Sequence, residues 1–166
     1  MAGLVSNLIG VLKEQVELYR QISALLARKK ELVIKNEIDE LREVVGQENI
    51  LVPKNLRIDK TRDKIMKDIC MVLNKNEEEM TLTYLVTLME GQPEHEELKD
   101  VVEQMAKAAT ELKELNDATK VLIQHALDFL EYNINVLHSS FAEAPAGYND
   151  TLEENREQRS FLDING

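Results

Sequence analysis

The sequence is short of the residues that build disulfide frameworks and aromatic cores. It has no tryptophan, 4% aromatic residues and one cysteine, Cys70, which lies among apolar neighbours in DKIMKDICMVL. One cysteine excludes a disulfide within the chain and a Cys-x-x-Cys metal pair, so we interpret Cys70 as a small buried hydrophobe in a reducing compartment. With 166 residues, 43% of them hydrophobic, the chain has enough apolar material for one modest helical core.

Basic charge and long apolar runs are also scarce. The chain has 20 Lys and Arg residues against 31 Asp and Glu residues, which gives a formal net charge of -11 at pH 7. This charge repels phosphate backbones and anionic headgroups, so we expect no nucleic-acid partner and no direct membrane insertion. No apolar run reaches the roughly 18 residues of a membrane span, and the first residues lack the basic segment of a signal peptide. We therefore expect a soluble, cytoplasmic protein.

No group of residues in the sequence suits catalysis. A carboxylate-bridged metal site in a helical bundle needs Glu-x-x-His pairs, and none of His95, His125 and His138 has an acid three residues before it. His125 and Asp128 come nearest to a ligand pair, but one pair cannot close a metal site, so a solvated helix face explains them better. Glycine-rich phosphate loops and nucleophile elbows are missing as well. We predict that the chain is not an enzyme and has no cofactor, metal or catalytic residue.

What the sequence has in abundance is apolar residues at helical spacing. They predict a first amphipathic helix of about thirty residues from Leu4 onward. Asn36 and Asp39 form a capping signal for a second helix, which begins near Glu37 and runs towards Asn74.

Breaks in the pattern predict where the later helices begin and end. Gly46 and Pro53 predict a kink or a short break in the second helix, because an interior proline removes one backbone hydrogen bond and clashes with the preceding turn. A short helix is expected from Thr81 to Gly91. After Pro93 and three glutamates, a last long helix is expected to run to about Ser139.

Together these elements predict an all-α fold. It is an elongated antiparallel helical bundle, or coiled coil, of about three long helices and one short helix. Residues 1–139 form the helical bundle domain. Residues 140–166 contain Pro145, Gly147 and many acids without periodicity, and we expect them to form a flexible, disordered C-terminal tail.

The last helix has more apolar residues than one core face needs. A first seam, with steps that alternate between three and four, consists of Leu98, Val101, Met105, Ala108, Leu112, Leu115, Thr119, Leu122, Ala126, Phe129, Asn133 and Val136. A second seam consists of Ile123, Leu127, Leu130, Ile134 and Leu137. Leaving the second seam in water would forgo about 7 to 15 kcal/mol. Something must cover it, and the residues alone leave three candidates: the short helix at 81–90, a second copy of the chain, or a cargo.

The order of helices and the sequence of the last one resemble the FlgN family of flagellar secretion chaperones. The resemblance spans nearly the whole chain and is strongest in ELNDATKVLIQHALDFLEYNINVL, where Leu115 and Asn116 match a Leu-Asn pair of the family. Thr119 stands where many members have a second Asn. The tail contains a tyrosine, Tyr148, where members tend to have Tyr-Gly, and it ends in RSFLDING, which is similar to the ends of some members.

The resemblance implies a cytosolic flagellar type III export chaperone. It would bind the C-terminal helical segments of hook-filament junction (hook-associated) proteins, prevent their premature assembly and deliver them to the flagellar export gate. The cargo helix would pack in the helix-in-groove mode. The residues expected to bind cargo are Leu122, Ile123, Leu127, Phe129, Leu130, Ile134 and Leu137. Tyr148 is expected to dock at the export gate. The alternative is a structural or homodimeric helical bundle that has no cargo and uses the spare apolar seam for self-association.

Overall fold

The computed structural model describes residues 1–142, with side chains through Ser139. This range contains four α-helices and no strand: α1 (Ala2–Lys35), α2 (Ile38–Leu73), α3 (Leu82–Leu88) and α4 (His95–Ala142). The predicted all-α fold of three long helices and one short helix is confirmed. None of these four helices is long and apolar enough to cross a bilayer. The chain divides into two compact units, Met1–Ile123 and a second unit that begins at Gln124.

The junction between α1 and α2 depends on an asparagine in the left-handed conformation. Asn36 has a φ of 58° and ends α1, and the Glu37 amide donates to the Leu32 carbonyl at 3.0 Å. The prediction that Asn36 caps the start of α2 is therefore wrong, because α2 begins after Glu37 without a side-chain cap. Asn74 ends α2 in the same way, with a φ of 51°. Asparagine tolerates this conformation, which lets the last carbonyls of a helix find amide partners.

Helix α2 continues through Pro53 without a break. Of the predicted kink or short break between residues 46 and 54, the break is wrong, and the kink stays a prediction. Both Gly46 and Pro53 are exposed, so the carbonyl of Asn49, which has no amide partner at Pro53, lies on the side of the helix that water can reach. A proline on the solvent face costs a backbone hydrogen bond but does not disturb the core.

Ion pairs and hydrogen bonds fix the relative directions of the long helices in the first unit. Lys29 of α1 pairs with Glu48 of α2 at 2.9 Å, whereas the earlier residue Gln15 contacts the later residue Asp59. Helices α1 and α2 are therefore antiparallel, as predicted.

Helix α4 runs in the same direction as α1 within this unit. Lys13 pairs with Glu97, and about two turns further along each helix Arg20 donates to Gln104. Both contacts join residues 84 positions apart, so the helices keep one register over this stretch. The long helices thus run up, down and up.

Two apolar clusters form the core of the first unit. The first joins all four helices through residues that include Val5, Leu8, Leu12, Ile69, Cys70, Leu85, Met89, Leu98 and Val101. The second joins only α1, α2 and α4, through Leu18, Ile22, Leu26 and Ile58 with Leu112 and Leu115 packed against them. The number of helices that share the core therefore falls from four to three along the bundle.

The short helix α3 belongs to the first cluster. It begins near Thr81, as predicted, and the Thr81 hydroxyl oxygen caps it by accepting a hydrogen bond from the Tyr84 amide at 3.1 Å. The chain turns away near Gly91, whose φ of 80° suits glycine. Leu85 and Met89 are buried in the first cluster. The apolar side of α3 is therefore used within the core.

A buried polar network lies between α1 and α2. Gln15 has no exposed surface, and its Nε2 donates to Oδ1 of Asp59 at 2.5 Å while its Oε1 accepts from Arg62 at 3.1 Å. Arg62 also pairs with Asp59 at 3.2 Å. Burial, and next the nearby charge of Asp59, raises the pKa of Tyr19 beside this network. An axial shift of either helix would leave Gln15 buried without its partners, so the network favours one register.

Replacing Gln15 tests this role. Gln15→Ala is expected to lower the free energy of unfolding by about 1 to 3 kcal/mol, because it removes buried hydrogen bonds and leaves a cavity. Urea denaturation followed by circular dichroism measures the loss. The matched control is Gln21→Ala, since Gln21 is exposed and donates to Glu17 on its own helix; there a change within about 0.5 kcal/mol is expected. Equal losses in the two variants would contradict the proposed register role.

Candidate functional site

The first part of the first seam on α4 faces the core. Leu98, Val101, Met105, Ala108 and Thr119 are buried, and Leu112 and Leu115 are half-buried. The Thr119 hydroxyl donates to the Leu115 carbonyl at 2.7 Å, so this buried polar group has a hydrogen-bond partner within α4. The seam predicted from the sequence is therefore confirmed from residue 98 to residue 119.

The second seam is open to solvent over most of its length. Ile123 is half-buried, whereas Leu127, Leu130, Ile134 and Leu137 are 53 to 57% exposed. At 3.6 residues per turn these five residues fall within an arc of about 80°, so they form one continuous apolar stripe. We call these five residues the exposed face. No described side chain between residues 124 and 139 is buried.

The other two residues predicted to bind cargo lie beside this stripe. Leu122 is half-buried and Phe129 is 64% exposed. Phe129 therefore does not close the core, although the first seam predicts that it does. The sequence analysis did not identify two further exposed apolar residues, Val121 and Tyr132. Their spacing from Phe129, eight residues before and three after, is helical and places all three on one side of α4, a signal that the seam pattern alone did not include.

Gln124, Asp128 and Asn135 form a polar strip on the side of α4 away from the exposed face, and the apolar residues Val121 and Tyr132 lie next to it. Gln124 donates to Asp128 at 2.9 Å, so the carboxylate of Asp128 is engaged by an amide one turn away. His125 and Asp128 are both exposed, in agreement with the solvated helix face expected for them. In residues 1–142, no group of three His, Cys, Asp or Glu side chains could hold a metal ion.

Cys70 is buried in the first cluster rather than placed at a reactive surface. It is 3% exposed, and burial, followed by the charge of Glu77, raises the pKa of its thiol. A raised pKa keeps the thiol neutral, and the neutral thiol is a poor nucleophile. The interpretation of Cys70 as a buried hydrophobe is confirmed.

An open groove lies in the first unit where the core has three helices. Its volume is about 580 Å³. Helix α1 lines it with Tyr19, Ile22, Leu26 and Lys29, helix α2 with Glu48, Asn49, Val52 and Asn55, and helix α4 with Ala109, Leu112, Lys113 and Asn116. Half of these residues are polar or charged, so the groove is of mixed polarity. We call this depression the open groove.

The arrangement offers apolar surfaces for helix packing. The FlgN protein family matches residues 1–156, which is most of the chain. The chain belongs to the FlgN family. FlgN proteins are flagellar export chaperones for hook-associated proteins; they are cytoplasmic and are not enzymes. No curated protein and no solved structure matches the chain. Because this FlgN protein has cargo, the alternative of a structural bundle without cargo is set aside.

Two predictions for this FlgN chaperone fall on its C-terminal residues. Tyr148, expected to dock at the export gate, lies outside the described residues. Of the predicted tail at 140–166, residues 140–142 belong to α4 and the rest lie outside the described range. The gate contact and the flexible tail therefore stay predictions.

The exposure of the second seam predicts how the FlgN chaperone responds to a charge there. Leu130 is 56% exposed, so Leu130→Asp is expected to lower the free energy of unfolding by less than about 0.5 kcal/mol through lost packing. The lower helix propensity of aspartate adds a small further loss. Thermal unfolding at low micromolar concentration measures it. Leu98→Asp, at a position with no exposed surface, serves as the opposite control and should unfold the protein. A severe loss with Leu130→Asp would mean that the exposed face is part of the core.

Proposed function

We propose that the exposed face of α4 binds an amphipathic helix from the C-terminal segment of a hook-associated protein. The observation that carries the proposal is the stripe from Ile123 to Leu137, in which four of five large apolar side chains are more than half exposed. Exposed apolar stripes of this size mark interaction surfaces in proteins that otherwise bury such residues. A helix packs along such a stripe by placing its own apolar residues between those of α4.

The stripe can supply a useful part of the binding energy. Burying the exposed half of four large aliphatic side chains contributes roughly 3 to 6 kcal/mol. Association also costs several kcal/mol in lost translational and rotational freedom, so the stripe alone would bind weakly. Leu122 and Phe129 border the stripe, and their burial would add to the contact. We therefore include them in the proposed cargo-binding surface.

The same contact explains how premature assembly is prevented. A cargo helix that lies with its apolar side against α4 cannot present that side to another junction protein. The polar strip with Gln124 and Asp128 stays in water on the other side of α4. The chain's net charge of -11 keeps the complexes apart from one another. Release of the cargo at the export machinery then restores its assembly surface.

Calorimetric titration with the C-terminal helical segment of the hook-associated protein tests the binding surface. Saturable binding with a negative heat-capacity change is expected, because apolar surface is buried. Leu130→Asp should weaken binding at least about tenfold, since it places a charge in the apolar contact. Asn135→Asp, the same charge on the polar strip of the same helix, should leave binding unchanged. If Leu130→Asp folds normally and binds cargo like the wild type, this surface is not the cargo site.

Delivery to the export gate is the second step that we propose, and Tyr148 is the residue assigned to it. Tyr148 is the one tyrosine among residues 140–166, and an aromatic residue in a polar segment suits a short docking motif. Tyr148→Ala should therefore reduce binding to the gate component and export of the cargo, while cargo affinity in the titration stays the same. Phe161→Ala, another aromatic substitution in the same segment, is the control and should leave gate binding intact. Normal gate binding by Tyr148→Ala would remove this role.

A further inference from the structure

Helix α2 carries a row of exposed apolar side chains on the side away from the core. Ile38, Val45, Val52 and Leu56 are 37 to 57% exposed. At 3.6 residues per turn they fall within an arc of about 40°, and the buried side chain of Val44 lies roughly 100° from them around the helix. The row is therefore a second apolar surface of α2, separate from the one that the core uses.

This row has the spacing of a coiled coil. When the exposed polar residues Arg42 and Asn49 are included, the steps alternate between four and three over about 27 Å of helix. We call these six residues the α2 seam: Ile38, Arg42, Val45, Asn49, Val52 and Leu56. The alternation is the pattern by which two helices pack side by side, and a polar residue such as Asn49 within it favours one register.

The charge of α2 changes sign along the seam. Residues 37–48 contain five acidic side chains and one basic side chain, whereas residues 54–67 contain six basic side chains and two acidic ones. Among the described residues, Arg57, Lys60 and Lys64 are exposed and have no ion-pair partner. A concentration of free positive charge is unexpected in a chain whose formal net charge is -11. The two halves of α2 are therefore complementary to each other in charge.

We infer that the α2 seam pairs with the α2 seam of a second copy of this chain, with the two helices antiparallel. Positions 38 and 56 are equally far from position 47, and so are positions 45 and 49, so contact of Ile38 with Leu56 also brings Val45 to Asn49. The acidic half of each α2 then lies beside the basic half of the other at both ends of the contact. Flanking charges of this kind set the orientation of paired helices, and the same surface serves both copies, as a twofold axis requires.

Gly46 fits this arrangement. It is exposed in the middle of α2, where a glycine destabilises a helix, and a Cβ there would meet nothing within 4 Å. The folded chain alone therefore has no need of a glycine at this position. In the antiparallel pair Gly46 flanks the centre of the contact, where a missing side chain lets the partner helix approach closely.

The inference goes beyond the proposed function, because the contact uses only residues of the first unit. The exposed face of α4 takes no part in it, so self-association and cargo binding depend on different residues. The net charge of -11 opposes association, and the opposite charges along α2 offset part of this repulsion at short range. The dimer is therefore weak.

Sedimentation equilibrium of the full chain without cargo tests the inference. In 0.15 M NaCl the wild type is expected to be in a monomer–dimer equilibrium between about 1 and 500 μM, a range that covers weak specific association. Leu56→Glu should weaken dimerisation at least about tenfold, because it places a charge in the apolar contact. Val72→Glu is the matched control, since Val72 and Leu56 are both 57% exposed on α2. Neither this control nor Leu130→Asp on α4 should change dimerisation.

Charge exchange tests the antiparallel orientation. One variant reverses the basic half with Arg57→Glu and Lys60→Glu, and the other reverses the acidic half with Asp39→Lys and Glu43→Lys. All four residues are exposed, so the fold tolerates these changes. Each variant alone should dimerise at least about tenfold more weakly than the wild type, because like charges then meet at both ends. An equimolar mixture should dimerise again, since opposite charges face each other in the heterodimer.

A further variant controls for the change in net charge. Lys99→Glu with Lys107→Glu alters the charge as much as Arg57→Glu with Lys60→Glu does, but on exposed positions of α4, and it should affect dimerisation much less. A wild type that stays monomeric at all concentrations, or a Leu56→Glu variant that dimerises like the wild type, would overturn the inference. A mixture that stays as monomeric as its two components would also overturn it. These measurements involve no cargo, so their failure is distinct from a failure of the cargo titration.

Discussion

Burial of the apolar side of α1 is the interaction on which the first unit depends. Ten residues of α1 are buried, against four in α2 and one in α3. Both clusters of the core contain residues of α1. The hydrogen bonds of Gln15 and the ion pairs of Lys13 and Lys29 hold α2 and α4 at fixed positions along α1. The seven-residue helix α3 is too short to be stable alone, so it exists because Leu85 finds a place in this core.

The helices themselves could be predicted from the sequence because apolar residues repeat at helical spacing over long stretches. The first seam of α4 was correct from Leu98 to Thr119 for this reason. The errors lie at single residues where two local effects compete. Asn36 can cap a helix start or end a helix in the left-handed conformation, and the sequence does not say which. Pro53 breaks a helix only where its lost hydrogen bond is buried, and its exposure depends on the packing of α2.

The candidate site was predictable to a smaller extent. The excess of apolar residues between Ile123 and Leu137 indicated a surface that needs a cover, and these residues could be named because helical spacing puts them on one side. Helical spacing could not predict which helix or protein buries this surface. Whether α3 reaches that surface depends on where Leu85 and Met89 pack, and the open groove is formed by residues of three helices far apart in sequence. Such features follow from tertiary packing, which no periodicity encodes.

The parallel arrangement of α1 and α4 also affects the order in which the chain can fold during synthesis. Helices α1 and α2 leave the ribosome first and can pair as a hairpin, but α1 still lacks the partner that runs beside it. That partner, the stretch from Leu98 to Thr119, emerges several seconds after the end of α2, at about 5 to 20 residues per second. During this interval the apolar side of the nascent hairpin is open to water and to other polypeptides. The chaperone itself thus passes through a stage in which it resembles the unassembled proteins that it protects.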